Sequence, residues 1–140
     1  MKVAVIDGQG GGIGRQLVAR IKEALPEATV LAIGVNSVAT AAMLKAGADS
    51  GATGENAVIV ACRRADVIVG PVGIVIADAL GGEISPAMAA AAAQSDAVRI
   101  LLPFKHCDNI IVGVNDFNPA NLVKSAVAEL VKLAAARENA

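Results

Sequence analysis

The stretch VAVIDGQGGGIG, residues 3–14, decides the reading of this chain. A short apolar run ends in Asp7, and five of the next seven residues are glycine. Residues 2–6 read as a buried strand. Residues 12–25 read as a helix, because Ile13, Leu17, Ile21 and Leu25 recur at helical spacing and Pro26 stops it. Glycine permits positive φ and lets a ligand approach the main chain closely. A glycine loop between strand and helix delivers N–H groups at a helix N-terminus, where the macrodipole also favours an anion. The stretch therefore predicts a phosphate site, a nucleotide's, formed by Gly8, Gln9, Gly10, Gly11, Gly12, Ile13 and Gly14. The alternative is a glycine-rich turn that only packs the helix tightly on the strand.

The rest of the chain supplies the frame. TVLAI (29–33) reads as a second buried strand, and Ser37 as the cap of a helix over 38–46 closed by Gly47. GADSGATG (47–54) reads as a loop, followed by a helix from about 55 to 64. DVIVG (66–70) is a third strand, and an apolar helical segment follows over 73–80. Ser85 and Pro86 open another helix as N-cap and first helical residue. VRILLP (98–103) is strand four and NIIVGV (109–114) strand five, with a connection too short for a helical crossover, so strand five is expected antiparallel. Asn118 and Pro119 start a last helix running to about Arg137. The strands carry continuous apolar runs, as strands covered on both faces do. The expectation is one α/β domain over residues 1–140. It is a three-layer sandwich with a mostly parallel five-stranded sheet in the order 2-1-3-4-5, the last strand antiparallel. Ligands of such sheets bind at the topological switch point, beyond the strands' carboxyl ends.

The loop matches neither of the two commonest phosphate patterns. GxGxxG fails from Gly8, because its last position is Ile13. GxxxxGK[ST] fails because Gly14 is followed by Arg15 and Gln16. The spacing that fits is G-xxx-G-x-G, at Gly8, Gly12 and Gly14. That resembles the nucleotide loop of short-chain dehydrogenases, TGxxxGIG, with Asp7 in place of the threonine. DVIVGPVG sits where that family has its strand-four NNAG turn, which adds Pro71 and Gly73 to the expected cofactor contacts. That family's catalysis uses a Tyr-xxx-Lys pair, and this chain has no tyrosine, so its mechanism is excluded. The end of strand two, IGVNS, carries neither the acid that holds a ribose 2′-OH nor an arginine for a 2′-phosphate. Asn36 and Ser37 remain as ribose partners there.

A second resemblance covers nearly the whole chain. AVIDGQGGGIG, ATAAMLKAGA, GATGENA, VIVGPVGIVIA and GEISPAMA fall in order, and together resemble a family of small bacterial proteins described as a domain of unknown function, DUF3842. LPFKHCDN is similar to the corresponding segment of that family. The resemblance implies a Rossmann-like nucleotide-binding domain and carries no assigned reaction.

Composition limits the partners. The chain is 55% hydrophobic, with a mean hydropathy of +0.60. That is more apolar surface than a core needs, and it points to a homo-oligomer. The bulk-free helix AMAAAAAQ (87–94) and the apolar face of the last helix point the same way, although both also suit core packing. Net charge is −1 and the longest basic run is Arg63–Arg64, so nucleic acid is not an expected partner. The segment before Asp7 is too short for a signal peptide. The most apolar window, residues 67–77, is too short for a membrane span. No membrane association and a cytoplasmic location are expected. Cys62 and Cys107 are then reduced thiols, without zinc-type spacing and with no metal expected.

Chemistry has few candidates. Lys105, His106 and Cys107 follow strand four and offer a cation, an imidazole and a thiol whose pKa those neighbours lower. The competing reading is a polar hairpin turn. Cys62, among Ile59, Val60 and Ala61, reads as a core thiol. Thr53 reads as the cap of a helix that opens toward the ligand mouth, where Gly54–Asn56 either offer N–H groups to a second polar group or Glu55 simply opposes the dipole on a solvated turn. Asp7 either braces the loop or reaches a Mg²⁺ held by the ligand. Three functions follow. The first is a binding protein for a nucleotide, NAD(P) or another, without chemistry of its own. The second is a small oligomeric, oxidoreductase-like enzyme using Asp7, Lys105, His106 and Cys107. The third is a structural or partner-binding domain with a vestigial loop.

Overall fold

The computed structural model describes residues 1–104 and 109–140. Five strands and five α-helices alternate among the described residues. β1 (Lys2–Asp7) leads through α1 (Gly12–Ala24) to β2 (Thr29–Gly34). α2 (Ser37–Lys45), β3 (Ser50–Thr53) and α3 (Glu55–Arg64) follow. β4 (Val67–Pro71) is followed by a single 3₁₀ turn (Val72–Val75), then α4 (Pro86–Gln94), β5 (Val98–Leu102) and α5 (Pro119–Glu138). The sheet is parallel throughout, in the order β3-β2-β1-β4-β5.

Period-two alternation divides the core. Val3 and Val5 of β1 point to a layer containing Leu17 and Ile21 of α1, Met43 of α2 and Leu130 of α5. Ala4 and Ile6 point to the opposite layer, with Val58 of α3 and Met88 and Ala92 of α4. Right-handed crossovers set this division. The chain steps from β1 to β2 to β3 with its helices on one face. It then returns across the sheet to β4 with α3 on the other. The reversal between β1 and β4 opens the crevice in which ligands of such sheets bind.

This arrangement corrects the expected order 2-1-3-4-5 and its antiparallel last strand. The fifth strand is not NIIVGV but SGAT, read from sequence as part of a loop. β3 has no apolar run to read, because all four of its residues are exposed at the sheet edge. It forms by pairing Leu31 to Gly34 of β2 with Ser50 to Thr53. Asp49 anchors its start by accepting from the Val30 N–H at 2.8 Å, and the Thr40 and Thr53 hydroxyls join at 2.7 Å near its end. Residues 109–114 have strand composition but pair with no strand among the described residues. Ile110 and Val112 are 96% and 93% exposed, and Gly113 turns the chain at φ 92°. Side-chain preference for a pleated surface makes no strand without a partner to pair.

Two local expectations also change. The segment expected as helix over 73–80 gives only the 3₁₀ turn, because Asp78 and Leu80 take left-handed φ of 66° and 57° ahead of Gly81 and Gly82. Asn36, not Ser37, caps α2, by accepting from the Ala39 N–H at 2.8 Å.

Two glycines in the first turn of α1, two residues apart, are predicted to behave oppositely. A Cβ on Gly14 would lie 2.5 Å from Met43 Sδ and 2.9 Å from Asp7 Cβ, whereas one on Gly12 meets nothing within 4 Å. Gly14→Ala should lower stability by about 1–3 kcal/mol through overpacking. Gly12→Ala should leave it unchanged or raise it by up to about 1 kcal/mol, because alanine loses less chain entropy in a helix. Urea unfolding of the two variants measures both.

Candidate functional site

The glycine loop leaves the end of β1 at the switch point, and a carboxylate organises it. Asp7 is buried. Its Oδ1 accepts from the Gly8 N–H at 2.8 Å and its Oδ2 from the Gly14 N–H at 2.6 Å. Gly14 lies in the first turn of α1, so the carboxylate caps that helix from beneath. Gly11 takes φ 71°, with its α-carbon so close to Ala39 that a Cβ would lie 2.8 Å from the Ala39 Cα. Only glycine satisfies both conditions. The Gly11 N–H bonds back to the Gly8 carbonyl at 2.9 Å and closes the turn.

A second carboxylate holds the loop from above. Glu83, on the segment between β4 and α4, accepts from the Gln9 N–H through Oε1 and from Asn36 Nδ2 through Oε2, both at 2.6 Å. Asn36 Nδ2 also donates to the Gln9 carbonyl at 2.9 Å. The N–H groups of Gly8, Gln9, Gly11 and Gly14 are thus all engaged within the protein. Those of Gly10, Gly12 and Ile13 have no acceptor among the described residues.

These three donors border a cleft of about 250 Å³. Its floor is Asp7 to Ile13. Gln16, Pro71, Leu80, Phe104 and Pro119 form its walls. Of the residues expected from sequence to contact a cofactor, Gly8 through Ile13 and Pro71 line this cleft. Gly14 lies buried beneath the loop against Met43, and Gly73 is buried in the 3₁₀ turn. Asn36 spends its side chain on the Ala39 N–H, Gln9 and Glu83. Ser37 is exposed beside it. Lys105, His106 and Cys107 lie outside the described residues.

The remaining candidates have structural partners. Glu55 Oε2 accepts from the Ser85 hydroxyl at 2.6 Å, and Thr53 bonds Thr40. Cys62 is buried in the α3–α4 layer, and burial pushes its thiol up to about 11, so it is not a thiolate near neutral pH. A larger cavity, about 710 Å³, opens beside Asp66 and Val98 at the amino ends of β4 and β5, away from the switch point. Among the described residues there is no group of three or more His, Cys, Asp or Glu that could hold a metal ion. None of the described helices is long and apolar enough to cross a membrane.

Glu83 is the residue that sequence reasoning missed. Its signal is faint: residues 72–84 hold only two charges, Asp78 and Glu83, in an otherwise apolar tract leaving the carboxyl end of a central strand.

The model of a family described as a domain of unknown function (DUF3842) matches residues 2–135. No curated protein sequence matches the chain. One similar solved structure is the crystal structure of a dodecameric FMN-dependent UbiX-like decarboxylase from Escherichia coli O157:H7. It is 17% identical, with a TM-score of 0.46, over 93% of this chain and 76% of that one. No site residue is carried over from it.

Asp7 gives the site a pH signature. Burial raises its carboxyl above the ordinary 3.8, against the lowering effect of the Gly14 and Gly8 N–H groups, and the Glu83 charge raises it further. Between the ordinary and the raised value the folded chain binds more protons than the unfolded one. The contribution of Asp7 to stability is therefore fully present below the ordinary value and is lost as pH rises through the raised one. Asp49, Asp66 and Asp116, held low by the N–H groups of Val30, Lys2 and Asn118, act in the opposite sense. They cancel when wild type is compared with Asp7→Asn. The unfolding free energy of wild type minus that of Asp7→Asn should fall as pH rises from below the ordinary carboxylate value through the raised one. A difference independent of pH overturns this assignment.

Proposed function

This chain belongs to the DUF3842 family, and we propose that it binds a phosphate-bearing small molecule, a nucleotide, in the cleft at the carboxyl ends of β1 and β4. The phosphate is accepted by the N–H groups of Gly10, Gly12 and Ile13. One observation carries the reading. The loop's other N–H groups are engaged within the protein, while these three border the cleft at the positive end of α1. The space before Gly10 and Gly12 supports it, since a Cβ on either would meet nothing within 4 Å. A glycine turn serving only to pack α1 needs Gly11 and Gly14, whose surroundings are tight, but neither Gly10 nor Gly12.

NAD(P) is the dinucleotide that the short-chain dehydrogenase likeness of the loop brings forward, and it belongs in the test beside mononucleotides. The binding role is preferred over an enzyme of its own because Asp7, the one described residue among the four catalytic candidates, is committed to bracing the loop. Self-association is part of the proposal, supported by the exposed Ile110 and Val112 and the half-exposed Val98 of the edge strand β5. Sedimentation velocity should detect a dimer or larger assembly, and a monomer at every concentration overturns that part.

Thermal shift against NAD, NADP, ATP, GTP, FMN, FAD and S-adenosylmethionine, with and without Mg²⁺, tests the ligand. Binding at a hundredfold excess over Kd stabilises by about 2.7 kcal/mol. Gly12→Val should keep the fold, since its Cβ enters open space, and lose at least about tenfold in affinity for whichever nucleotide shifts the wild type. No shift with any of the seven, or a Gly12→Val variant that binds as well as wild type, overturns the proposal.

A further inference from the structure

In dinucleotide-binding sheets the pyrophosphate has a nucleoside on each side. One sugar reaches the end of the second strand, where an acidic side chain holds its hydroxyls. Here the protein itself fills that position. Glu83 Oε2 lies 2.6 Å from Asn36 Nδ2, just beyond the end of β2, and Glu83 Oε1 lies 2.6 Å from the Gln9 nitrogen. Both hydrogens of Asn36 Nδ2 are taken, by Glu83 and by the Gln9 carbonyl, and its Oδ1 accepts from the Ala39 N–H, so that amide has no donor left for a sugar hydroxyl. The main chain that a dinucleotide approaches is covered as well. A Cβ on Gly8 would meet Val35 Cγ2 at 2.7 Å, Glu83 Oε1 at 3.0 Å and Leu80 Cδ1 at 3.1 Å.

The segment bearing Glu83 is fixed in place. Leu80 is buried at φ 57°, a conformation that a leucine keeps only when its surroundings enforce it. The Asp78 N–H closes the turn onto the Ile84 carbonyl at 2.7 Å. On the other side of the loop the cleft is lined by Phe104 and Pro119.

We propose that Glu83 determines the ligand class of this cleft. By clasping Gln9 and Asn36 it closes the sugar side at β2. The loop then takes a terminal phosphate monoester, a mononucleotide whose organic part runs toward Phe104 and Pro119, and rejects a dinucleotide. The Glu83 carboxylate adds charge repulsion against a second phosphate on the closed side. The inference rests on the phosphate reading of the cleft given above.

Titration calorimetry of wild type and Glu83→Ala with AMP, FMN, NAD and NADP tests it. Wild type should bind at least one of the two mononucleotides on the order of tenfold more tightly than either dinucleotide. Glu83→Ala should bring the two classes to within about twofold by a gain for the dinucleotides. Glu83→Asp, which keeps the charge but shortens the reach to Gln9, should shift the ratio the same way and serves if the alanine variant does not fold. A wild type that binds NAD or NADP as tightly as a mononucleotide overturns the inference. So does a ratio unchanged in the variants, and in that case the phosphate reading stands. If neither wild type nor variant binds any of the four, the inference falls, and the phosphate reading is decided by the seven-ligand thermal shift.

Discussion

The buried carboxylate of Asp7 is the constraint on which the rest of the site depends. A charge at the end of a central strand, under a helix, loses its water. Desolvation outweighs the two short N–H bonds that favour the ionised form, and the carboxyl titrates high. The residue is held there by what it joins. One oxygen takes the N–H that starts the loop and the other takes an N–H of the first turn of α1. Strand end and helix start are thereby locked at a fixed separation. The five residues between Gly8 and Gly14 must close in a turn tight enough to need a left-handed Gly11 against Ala39. Once that turn is set, the directions of Gly10, Gly12 and Ile13 are no longer free.

The central part of the sheet was legible because its physics is local. β1, β2 and β4 are buried on both faces and are written as unbroken apolar runs. The helices show their spacing and their caps, Ser85 with Pro86 for α4 and Asn118 with Pro119 for α5. The edges were not legible. SGAT becomes a strand only because β2 offers an unpaired edge, Asp49 pins its start to β2 and Thr53 ties its end to Thr40 of α2. NIIVGV has the right residues but does not pair with the outer edge of β5. Sheet order follows from that one exchange, since adding a strand beside β2 rather than beyond β5 turns 2-1-3-4-5 into 3-2-1-4-5.

The site divides in the same way. The glycine loop announces itself in twelve contiguous residues, whereas the clasp that faces it is assembled from Gln9, Asn36 and Glu83, 27 and 47 residues apart along the chain. Asn36 was visible as a polar residue at the end of β2, where a ribose partner is expected. Its actual work, capping α2 while holding Glu83, depends on a residue that arrives only after the chain has crossed the sheet. No spacing rule connects position 36 with position 83.

A glycine-rich loop at a helix start therefore does not by itself specify a ligand. The loop has seven N–H groups, and what matters is which of them the protein keeps for itself. Asp7 and Glu83 are anions of the protein's own, bound by the same kind of donor that a phosphate seeks, and they take the donors on the inner side and on the β2 side. A third anion is then compatible with the loop only on the remaining side, where Gly10 and Gly12 meet open space. Two fixed negative charges beside a phosphate oppose its binding unless the donors between them are aimed at it rather than shared. Here the division is clean: each N–H either bonds within the protein or borders the cleft. The carboxylates thus act less as ligands than as a template, deciding from which direction a phosphate can approach.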